Sequence, residues 1–411
     1  MRYGLFVHYG LFSILGRGEW VMNREQIQPT EAEALARSFD PRHFDADRIC
    51  RLAVDGGMKY IVFTTMHHEG FRLYDTIMTS YNAKAVCGRD LVGEIVDSAR
   101  RHGLKIGLYH SLNNWHDQPD ATAALESDAD YTLFMENTFA RLKELVTRFN
   151  PVDILWYDGW WPFDAKGWQA ERMNEMVRAI QPHIIFNGRN CLPGDFGTPE
   201  QHLSVPEPWH PWEACMTLNS HWGFHVGDEE WKSPREVVKM LLTCANGKGN
   251  LLLNIGPRGD GSIPEASEKI IRQVGAWLEN GGREAVTDNA IMKLGAHYRK
   301  DDERADWDSA GIFSASENNL FFTMLYCPGD TLTFTGVECK VKRITSAGTD
   351  LAYNQTNGKL TVTLSESLCE SFCPVIKMEC EETPSIYRTG GMRPINRRHV
   401  RYDPVSPDIR Y

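Results

Sequence analysis

The sequence lacks an apolar run long enough to cross a membrane, because no stretch approaches the ~20 consecutive apolar residues that a bilayer-spanning helix needs. Its N-terminus, MRYGLFVHYG, also lacks the basic region followed by a long apolar region that marks a secretory leader. These two absences predict a cytoplasmic protein with no membrane partner. Because Tyr3–His8 already has the composition of a core strand, a leader that originally preceded this chain is compatible with the sequence.

Positive charge is also scarce, since 44 basic residues face 55 acidic ones and the formal net charge is −11. A chain of this charge repels a phosphate backbone, which argues against nucleic acid as a partner. The glycine-rich phosphate fingerprint expected after the first strand of an open, doubly wound sheet is missing as well. Aromatic residues are abundant by contrast: 12 Trp and 14 Tyr favour a neutral ligand bound by ring stacking.

The cysteines lack the spacing of a metal site. Most of the 10 cysteines are scattered through segments that have the pattern of strands or helices. Cys369, Cys373 and Cys380 cluster, but their spacing matches neither a zinc ribbon nor a zinc finger. We therefore predict reduced, buried cysteines and no structural metal.

Short β-rich runs alternate with helical stretches through the first part of the chain, which predicts parallel βα units. Asp45 has the position of a helix cap before an amphipathic run, and Ser233 and Pro234 open another helix as cap and first-turn proline. About eight βα elements precede residue 290, the number that a closed barrel requires. The predicted fold class is α/β, with a (β/α)8-like TIM barrel over residues 1–290.

After residue 295 the pattern changes to short alternating strands separated by Pro, Gly, Asn and Asp. This pattern predicts a small antiparallel β-sandwich over residues 295–387. Its predicted strands are Gly311–Ala315, Leu320–Tyr326, Thr331–Phe334, Lys340–Thr345 and Lys359–Leu364. Residues 388–411 combine Gly, Pro and Arg without periodicity and are predicted to form an extended tail.

The stretch PVDILWYDGWWPF, residues 151–163, is a short apolar strand that stops at Asp158. Four rings surround this carboxylate in the sequence: Trp156, Tyr157, Trp160 and Trp161. A carboxylate just past a barrel strand lies where barrel enzymes place catalytic groups, and flat rings suit the C–H face of a pyranose. The alternative is that Asp158 only caps the following turn, for which Gly159 provides the bend.

Other predicted strands also end in polar or aromatic groups, which a barrel tolerates at its catalytic rim. These groups are His8, His67, His68, Tyr109, Asn187 and Arg189. Any one histidine is more often structural than functional, but three at strand ends favour a common site. Glu19 and Trp20, in the first loop, add a carboxylate and a ring.

Two mechanisms fit this set of residues. In the first, a metal ion activates water, and its ligands are His8, His67, His68 and Asp158. In the second, Asp158 attacks an anomeric carbon, another carboxylate is the acid/base, and the histidines bind ring hydroxyls. The aromatic residues favour the second. Adjacent His67 and His68 would point in opposite directions on an extended strand, so only a bend would bring both to one ion.

Seven segments, in this order, make the chain resemble the family 29 glycoside hydrolases, the α-L-fucosidases. They run from Tyr3 to about Ala285 and are YGLFVHYGLFSI, GEWV, KYIVFTTMHHEGF, RDLVGEIV, GLKIGLYHSL, DILWYDG and GNLLLNIGPRGDGSIPE. The resemblance implies a retaining exo-glycosidase without a cofactor, on a (β/α)8-like barrel followed by a β-sandwich. This architecture agrees with the one predicted above from the residue pattern.

Carried over residue by residue, the resemblance makes Asp158 the nucleophile that forms a covalent fucosyl-enzyme, and it places Arg189, in FNGRN, beside the catalytic pair. The side chains that it implies around the sugar are His8, Glu19, Trp20, His67, His68 and Tyr109. The apolar wall implied for the C6 methyl of fucose contains Phe6, Trp156 and Trp222, with Tyr109. Such a wall leaves the C6 hydroxyl of galactose unpaired and so selects the 6-deoxy sugar.

The acid/base carboxylate of this family lies on a variable loop that no strong motif marks. Glu200, in GDFGTPEQHL, best matches that position. Glu213, in PWEACMT, is the alternative, and it would otherwise bind sugar hydroxyls or hold the loop of Trp212. The two extra tryptophans after Asp158 are interpreted as shaping the aglycone side.

We therefore expect a retaining exo-α-L-fucosidase that removes terminal α-L-fucose from fucosylated oligosaccharides or glycosides by double displacement. The alternatives are a non-catalytic fucose-binding barrel and a metal-dependent hydrolase that uses the histidine cluster. A homo-oligomer is compatible with the sequence, which identifies neither the linkage nor the aglycone.

Overall fold

The computed structural model describes residues 1–206, 208–287, 310–335, 337, 339–356 and 359–384. The tail predicted over residues 388–411 lies outside the described residues, as do the residues on both sides of the predicted domain boundary near 290–295. The limits of the domains therefore stay a prediction.

A parallel sheet forms the first part of the protein, and its strands occur in the order β5-β4-β3-β2-β1-β7-β6. The strands are β1 (Tyr3–Val7), β2 (Tyr60–Met66), β3 (Lys105–Ser111), β4 (Ile154–Asp158), β5 (Ile185–Phe186), β6 (Glu213–Thr217) and β7 (Asn250–Ile255). Every neighbouring pair runs parallel. The predicted TIM-like barrel is confirmed, with one difference in how it closes.

The barrel closes through an irregular segment, residues 196–200, instead of a regular eighth strand. Phe196 forms an isolated parallel bridge with Asn187, just after β5, while Glu200 forms one with Cys215 of β6. Backbone bonds support the second side, including Gln201 N to Cys215 O at 3.0 Å. The segment thus occupies the gap between the two edge strands of the sheet and brings Glu200 to the barrel wall.

Helices lie between the strands of this sheet in the chain and after its last strand. They are α1 (Phe12–Leu15), α2 (Val21–Arg24), α3 (Pro29–Ala36), α4 (Ala46–Asp55), α5 (Ala83–Cys87), α6 (Leu91–Arg101), α7 (Ala121–Glu126), α8 (Asp128–Arg148), α9 (Ala170–Ile180), α10 (Pro234–Asn246), α11 (Glu265–Trp277) and α12 (Arg283–Ala285). The predicted caps are present: Asp45 accepts from Arg48 N, and Ser233 forms a capping box with Glu236. No helix in the described part of the chain has the length and apolarity of a membrane span.

A separate group of apolar side chains fills the inside of the barrel. Its members are Phe6, Tyr60, Val62, Tyr109, Ile154, Trp156, Phe196, Cys215 and Leu252, with Trp222 packed against them. They come from alternate positions on several strands, as expected for residues that point inward. Several of its aromatic rings also line the cavity described below, and we call this part of the barrel interior the aromatic floor.

Two antiparallel sheets follow the barrel, ordered β10-β14-β13 and β12-β11-β15-β9-β8. Their strands are β8 (Gly311–Ser316), β9 (Asn319–Met324), β10 (Thr331–Thr335), β11 (Val341–Ser346), β12 (Thr349–Asp350), β13 (Tyr353–Thr356), β14 (Lys359–Thr363) and β15 (Val375–Cys380), and one short helix, α13 (Glu366–Glu370), precedes β15. The predicted β-sandwich is confirmed. The strands β12, β13 and β15 were not predicted, because β12 and β13 are short and polar and β15 was considered only as part of a cysteine cluster.

One prediction about the cysteines is wrong. Cys327, which follows β9, and Cys369, in α13, form a disulfide with their Cα atoms 5.2 Å apart. The two residues are 42 positions apart in the chain, so only the sandwich fold brings them together. The other eight cysteines, all among the described residues, form no disulfide.

The sandwich packs directly on the barrel. The indole nitrogen of Trp277, at the end of α11, donates to the carbonyl oxygen of Cys373 at 2.8 Å. The side-chain amide of Asn246, at the end of α10, donates to the carbonyl oxygen of Phe313 at 2.8 Å. Both contacts involve the outer helices, so the sandwich lies away from the barrel interior.

Candidate active site

A cavity of about 170 Å³ lies at the carboxyl ends of the parallel strands. Its lining is formed by Phe6, His8, Trp20, His67, His68, Tyr109, Trp156, Asp158, Trp160, Trp161, Arg189, Glu200, Cys215 and Trp222. Four side chains that the sequence predicts for the site lie outside this lining: Glu19, Tyr157, Asn187 and Glu213. The side chain of Asn187 instead bonds to the backbone nitrogen and oxygen of Tyr157. Cys215 was not predicted, although it lies two residues after Glu213 on β6, a spacing that places both on one face of the strand.

Asp158, the last residue of β4, is held by two donors. Its Oδ2 accepts from the hydroxyl of Tyr109 at 2.7 Å, and its Oδ1 accepts from Nη1 of Arg189 at 3.0 Å. Burial acts to raise the pKa of Asp158, but the charge of Arg189, together with His68 and Tyr109, holds it below its ordinary value. The carboxylate is therefore ionised, and its oxygens are engaged across the cavity and not in capping the turn.

The turn after Asp158 requires glycine. Gly159 has a φ of +66°, and a Cβ atom there would lie 2.4 Å from Oγ of Ser111. The turn therefore brings the end of β4 against the loop after β3 and directs the following tryptophans to the cavity mouth.

Arg189 joins two carboxylates. Its Nη2 donates to Oε2 of Glu200 at 2.7 Å while its Nη1 contacts Asp158. The guanidinium lies 4.6 Å from the ring centroid of Trp156 and 5.4 Å from that of Trp160. Burial acts to lower the pKa of Arg189, but the negative charges of Asp158 and Glu200 outweigh burial and raise the pKa above its ordinary value. The guanidinium therefore stays charged.

Glu200 reaches the cavity from the closing segment of the barrel. Its Oε1 accepts from the indole nitrogen of Trp222 at 3.2 Å, and its Oε2 is bound by Arg189. Its side chain is 41% exposed, so a group entering the cavity from solvent can contact it. The sequence placed this residue on a loop, whereas the structure ties it to β6 by a parallel bridge.

Glu213 lies at the beginning of β6, below the floor of the cavity. Its Oε1 accepts from the indole nitrogen of Trp156 at 3.1 Å, and its Oε2 accepts from the hydroxyl of Tyr60. Burial raises the pKa of Glu213 to about 7, although both hydrogen bonds act to lower it. Both oxygens are thus engaged in holding the floor.

His67 and His68 face the same cavity because β2 ends at Met66 and the chain turns there. Their ring centroids are only 4.1 Å apart, so the opposite orientation expected for an extended strand does not occur. Despite this turn, no three His, Cys, Asp or Glu side chains of the described residues are grouped as metal ligands. The geometry therefore does not favour the metal-dependent alternative.

Two histidines are anchored through Nδ1. Nδ1 of His8 lies 2.7 Å from Oδ1 of Asn254, whose side-chain amide nitrogen donates to the carbonyl oxygen of Trp222. Nδ1 of His68 lies 2.6 Å from Oγ of Ser111. Since Ser111 donates its own hydrogen to the carbonyl oxygen of Asn113, it accepts from His68. Both rings therefore carry hydrogen on Nδ1, which leaves Nε2 as an acceptor for a hydroxyl.

Burial keeps these two rings neutral. It lowers the pKa of His8 to about 3 and that of His68 to about 4, although Asn254 raises the former and Asp158 raises the latter. The Nε2 atoms of the two neutral imidazoles and the ionised carboxylate of Asp158 are therefore acceptors for a ligand rich in O–H groups.

The first loop contributes one predicted residue to the lining and one beside it. Trp20 lines the cavity and stacks on Trp161 with a centroid distance of 5.6 Å. Glu19 is buried, and its Oε2 accepts from the backbone nitrogen of Gly223 at 2.8 Å. Burial raises the pKa of Glu19. This carboxyl group joins the first loop to the loop that carries Trp222.

The predicted apolar wall is continuous. The ring of Phe6 lies 5.1 Å from that of Trp156, 5.8 Å from that of Trp222 and 5.9 Å from that of Tyr109. These rings occupy one side of the cavity, whereas Asp158, Arg189 and the histidines supply its polar groups. The arrangement can bind a small ligand that has both hydroxyl groups and an apolar substituent.

Comparisons with known proteins agree with this site. A model of the α-L-fucosidase family matches residues 1–283. The tissue α-L-fucosidase of Mus musculus is 27% identical over 376 residues, covering 84% of this chain and 80% of that protein. The plasma α-L-fucosidase of Homo sapiens is 30% identical over 321 residues, covering 68% of this chain and 67% of that protein.

A solved structure is similar to this one over most of the chain. α-L-Fucosidase isoenzyme 1 from Paenibacillus thiaminolyticus is similar with a TM-score of 0.80 and 30% identity, and the match covers 93% of this chain and 97% of that chain. The segment matched by the family includes every residue that lines the cavity.

Proposed function

Because the chain belongs to the α-L-fucosidase family, we propose that it hydrolyses terminal α-L-fucosides with retention of configuration at C1. The observation that carries this proposal is the binding of two carboxylates, Asp158 and Glu200, by the single guanidinium of Arg189. A retaining glycosidase needs such a pair on the two sides of the scissile bond.

In the first step, Asp158 attacks C1 of fucose while the bond from C1 to the glycosidic oxygen breaks. Glu200, in its protonated form, donates its proton to that oxygen, and the leaving sugar departs as an alcohol. Asp158 is suited to attack because Arg189 and Tyr109 hold its carboxylate ionised and fixed in orientation. The product of this step is a covalent fucosyl-enzyme.

In the second step, the ionised Glu200 takes a proton from water, whose oxygen attacks C1 and releases Asp158. Fucose leaves with its original anomeric configuration after the two inversions. The partial exposure of Glu200 supports this role, because the leaving sugar and the incoming water must both pass it. No step uses a cofactor.

Both the polar side and the apolar side of the cavity select fucose. The Nε2 atoms of His8 and His68 accept hydrogen bonds from ring hydroxyls, and the wall formed by Phe6, Trp156 and Trp222 receives the C6 methyl. An α-L-galactoside, which differs from an α-L-fucoside only at C6, would place a hydroxyl against this wall without a partner, which costs about 1–3 kcal/mol.

The test is the activity of Asp158→Ala and Glu200→Ala on an aryl α-L-fucoside. We expect the first variant to lose nearly all activity, and azide to restore it with formation of a β-linked fucosyl azide. We expect azide to give an α-linked product with the second variant. Wild-type rates in Asp158→Ala would overturn the nucleophile assignment, and fucose binding without hydrolysis by the unmutated protein would favour a non-catalytic role.

A further inference from the structure

Trp160 is an exposed ring at the mouth of the cavity. It follows the proposed nucleophile by two residues, lines the cavity, and is 39% exposed, whereas Trp156 and Trp168 are 2% and 0% exposed. An exposed indole contributes little to the core, so packing alone does not explain its position. A surface ring beside a sugar site is available for a ligand.

The loop that carries Trp160 is fixed on both sides of the ring. Its carbonyl oxygen accepts from the indole nitrogen of the fully buried Trp168. The next carbonyl oxygen, that of Trp161, accepts from the side-chain amide of Asn113 at 3.2 Å. The ring of Trp161 also meets Trp160 edge to face at 5.5 Å. The indole is therefore preorganised, so a ligand that stacks on it loses little affinity to ordering of the loop.

The neighbours of Trp160 define which part of a substrate would meet it. The guanidinium of Arg189 lies 5.4 Å from its ring centroid, and the same guanidinium binds Glu200. An acid/base must contact the glycosidic oxygen, so the group attached to that oxygen leaves the cavity beside Glu200. The indole is therefore next to the leaving group and not to the fucose ring.

We infer that Trp160 is the platform of a leaving-group subsite for a neutral hexopyranose, which stacks a C–H face on the indole. This inference rests on the proposed function, because the position of the subsite follows from the role of Glu200. Galactose in its β-D form suits such a platform, since the C–H groups at C3, C4 and C5 lie on one face of its ring. Ring stacking of this kind needs no charged partner.

Two substrates distinguish an effect on binding of the leaving sugar from an effect on the chemical step. α-L-Fucosyl fluoride has no leaving sugar, whereas α-L-fucosyl-(1→2)-galactose places a pyranose at the subsite. The measured quantity is the ratio of kcat/KM for the disaccharide to kcat/KM for the fluoride. We expect Trp160→Ala to lower this ratio about ten-fold, mainly through KM for the disaccharide, and Trp160→Phe to lower it less because a smaller ring remains.

Trp209→Ala is the matched control, because Trp209 is also exposed, at 52%, and does not line the cavity. It is expected to keep the wild-type ratio. Thermal unfolding of each variant checks that the fold is retained, and Trp160→Phe carries the test if Trp160→Ala does not fold.

The outcomes are distinguishable. If the unmutated protein hydrolyses both substrates but Trp160→Ala has the wild-type ratio, or loses activity equally on both, the subsite is overturned and the proposed function stands. If the unmutated protein hydrolyses neither substrate, the proposed function fails and the subsite fails with it. A selective loss on the disaccharide in Trp160→Ala, with no change of ratio in Trp209→Ala, supports the platform.

Discussion

The carboxylate of Glu69 faces the ring of His67 across 3.7 Å, from Oε2 to Nδ1, and both atoms are buried without a hydrogen-bond partner. The other oxygen of Glu69 accepts from the backbone nitrogen of Leu11 at 3.1 Å. Burial raises the pKa of Glu69 to about 8 and lowers that of His67 well below its ordinary value. At neutral pH these shifts place a protonated carboxyl group beside a neutral imidazole.

The protonation of Glu69 decides which hydrogen bond His67 can make. A protonated Glu69 presents a donor to Nδ1 of His67, so we expect the ring to carry its own hydrogen on Nε2, as a donor to the cavity. Once Glu69 ionises, the favoured hydrogen is on Nδ1, and Nε2 becomes an acceptor. We expect KM for an aryl α-L-fucoside to change near pH 8, measured as a pH profile. The change should be absent in Glu69→Gln, because an amide imitates the protonated acid.

The stability of the fold should respond to the same carboxyl group. Its folded pKa is raised from 4.5 to about 8, so its contribution is fully present below 4.5 and is lost as the pH rises through 8. Well above pH 8, Glu69→Gln should be more stable than the unmutated protein by a few kcal/mol, because each pH unit between the unfolded and folded pKa values corresponds to about 1.4 kcal/mol.

The measurement is denaturant unfolding at several pH values. Glu175→Gln, on the exposed face of α9, is the control and should follow the unmutated protein. Equal stability of Glu69→Gln and the unmutated protein across the alkaline range would contradict the proposed protonation.

The neutral histidines predict the opposite response in acid. The folded pKa of His8 is lowered from 6.5 to about 3, so its contribution is present above 6.5 and is lost as the pH falls. The cost is on the order of 2 kcal/mol for one ring at about pH 5. The free energy of unfolding should therefore decrease from pH 6.5 downward, and His8→Gln should have a smaller decrease. His183→Gln, at an exposed position, should leave the slope unchanged.

Arg189→Lys should remove the simultaneous binding of Asp158 and Glu200 by one side chain. A lysine has one compact charge in place of the fork that contacts Asp158 and Glu200, so only one contact can be replaced. We expect kcat to fall about 100-fold, as for removal of one fixed donor from an active site. The acidic limb of the kcat/KM profile should also move to higher pH, because Arg189 lowers the pKa of Asp158. An acidic limb at its original position would contradict this account.

Glu213→Ala should differ from Glu200→Ala in kind. It leaves the indole nitrogen of Trp156 and the hydroxyl of Tyr60 buried without an acceptor, at about 1–3 kcal/mol for each group. We expect a lower melting temperature and a higher KM through the displaced floor, with no rescue of activity by azide. If azide restored the activity of Glu213→Ala but not that of Glu200→Ala, Glu213 would be the acid/base and Glu200 would not.

The positions of His67 and His68 in the chain could be predicted from the sequence, but the orientation of their rings could not. The sequence places His67 and His68 at the end of β2, and the structure agrees. Whether their rings point apart or together depends on the turn after Met66, which is set by packing against neighbouring loops. The hydrogen-bond partners of the histidines, Asn254 and Ser111, come from other strands and cannot be identified from local spacing.

By itself, the sequence determined the alternation of strands and helices, the caps at Asp45 and Ser233, and the placement of Asp158 at a strand end. These features depend on residues close together in the chain, where apolar periodicity and turn chemistry are decisive. Only the tertiary structure decided that residues 196–200 close the barrel, that Glu200 and not Glu213 opens to the cavity, and that Cys327 meets Cys369. Each of these depends on contacts between segments that the chain keeps apart and that only packing of the folded protein brings together.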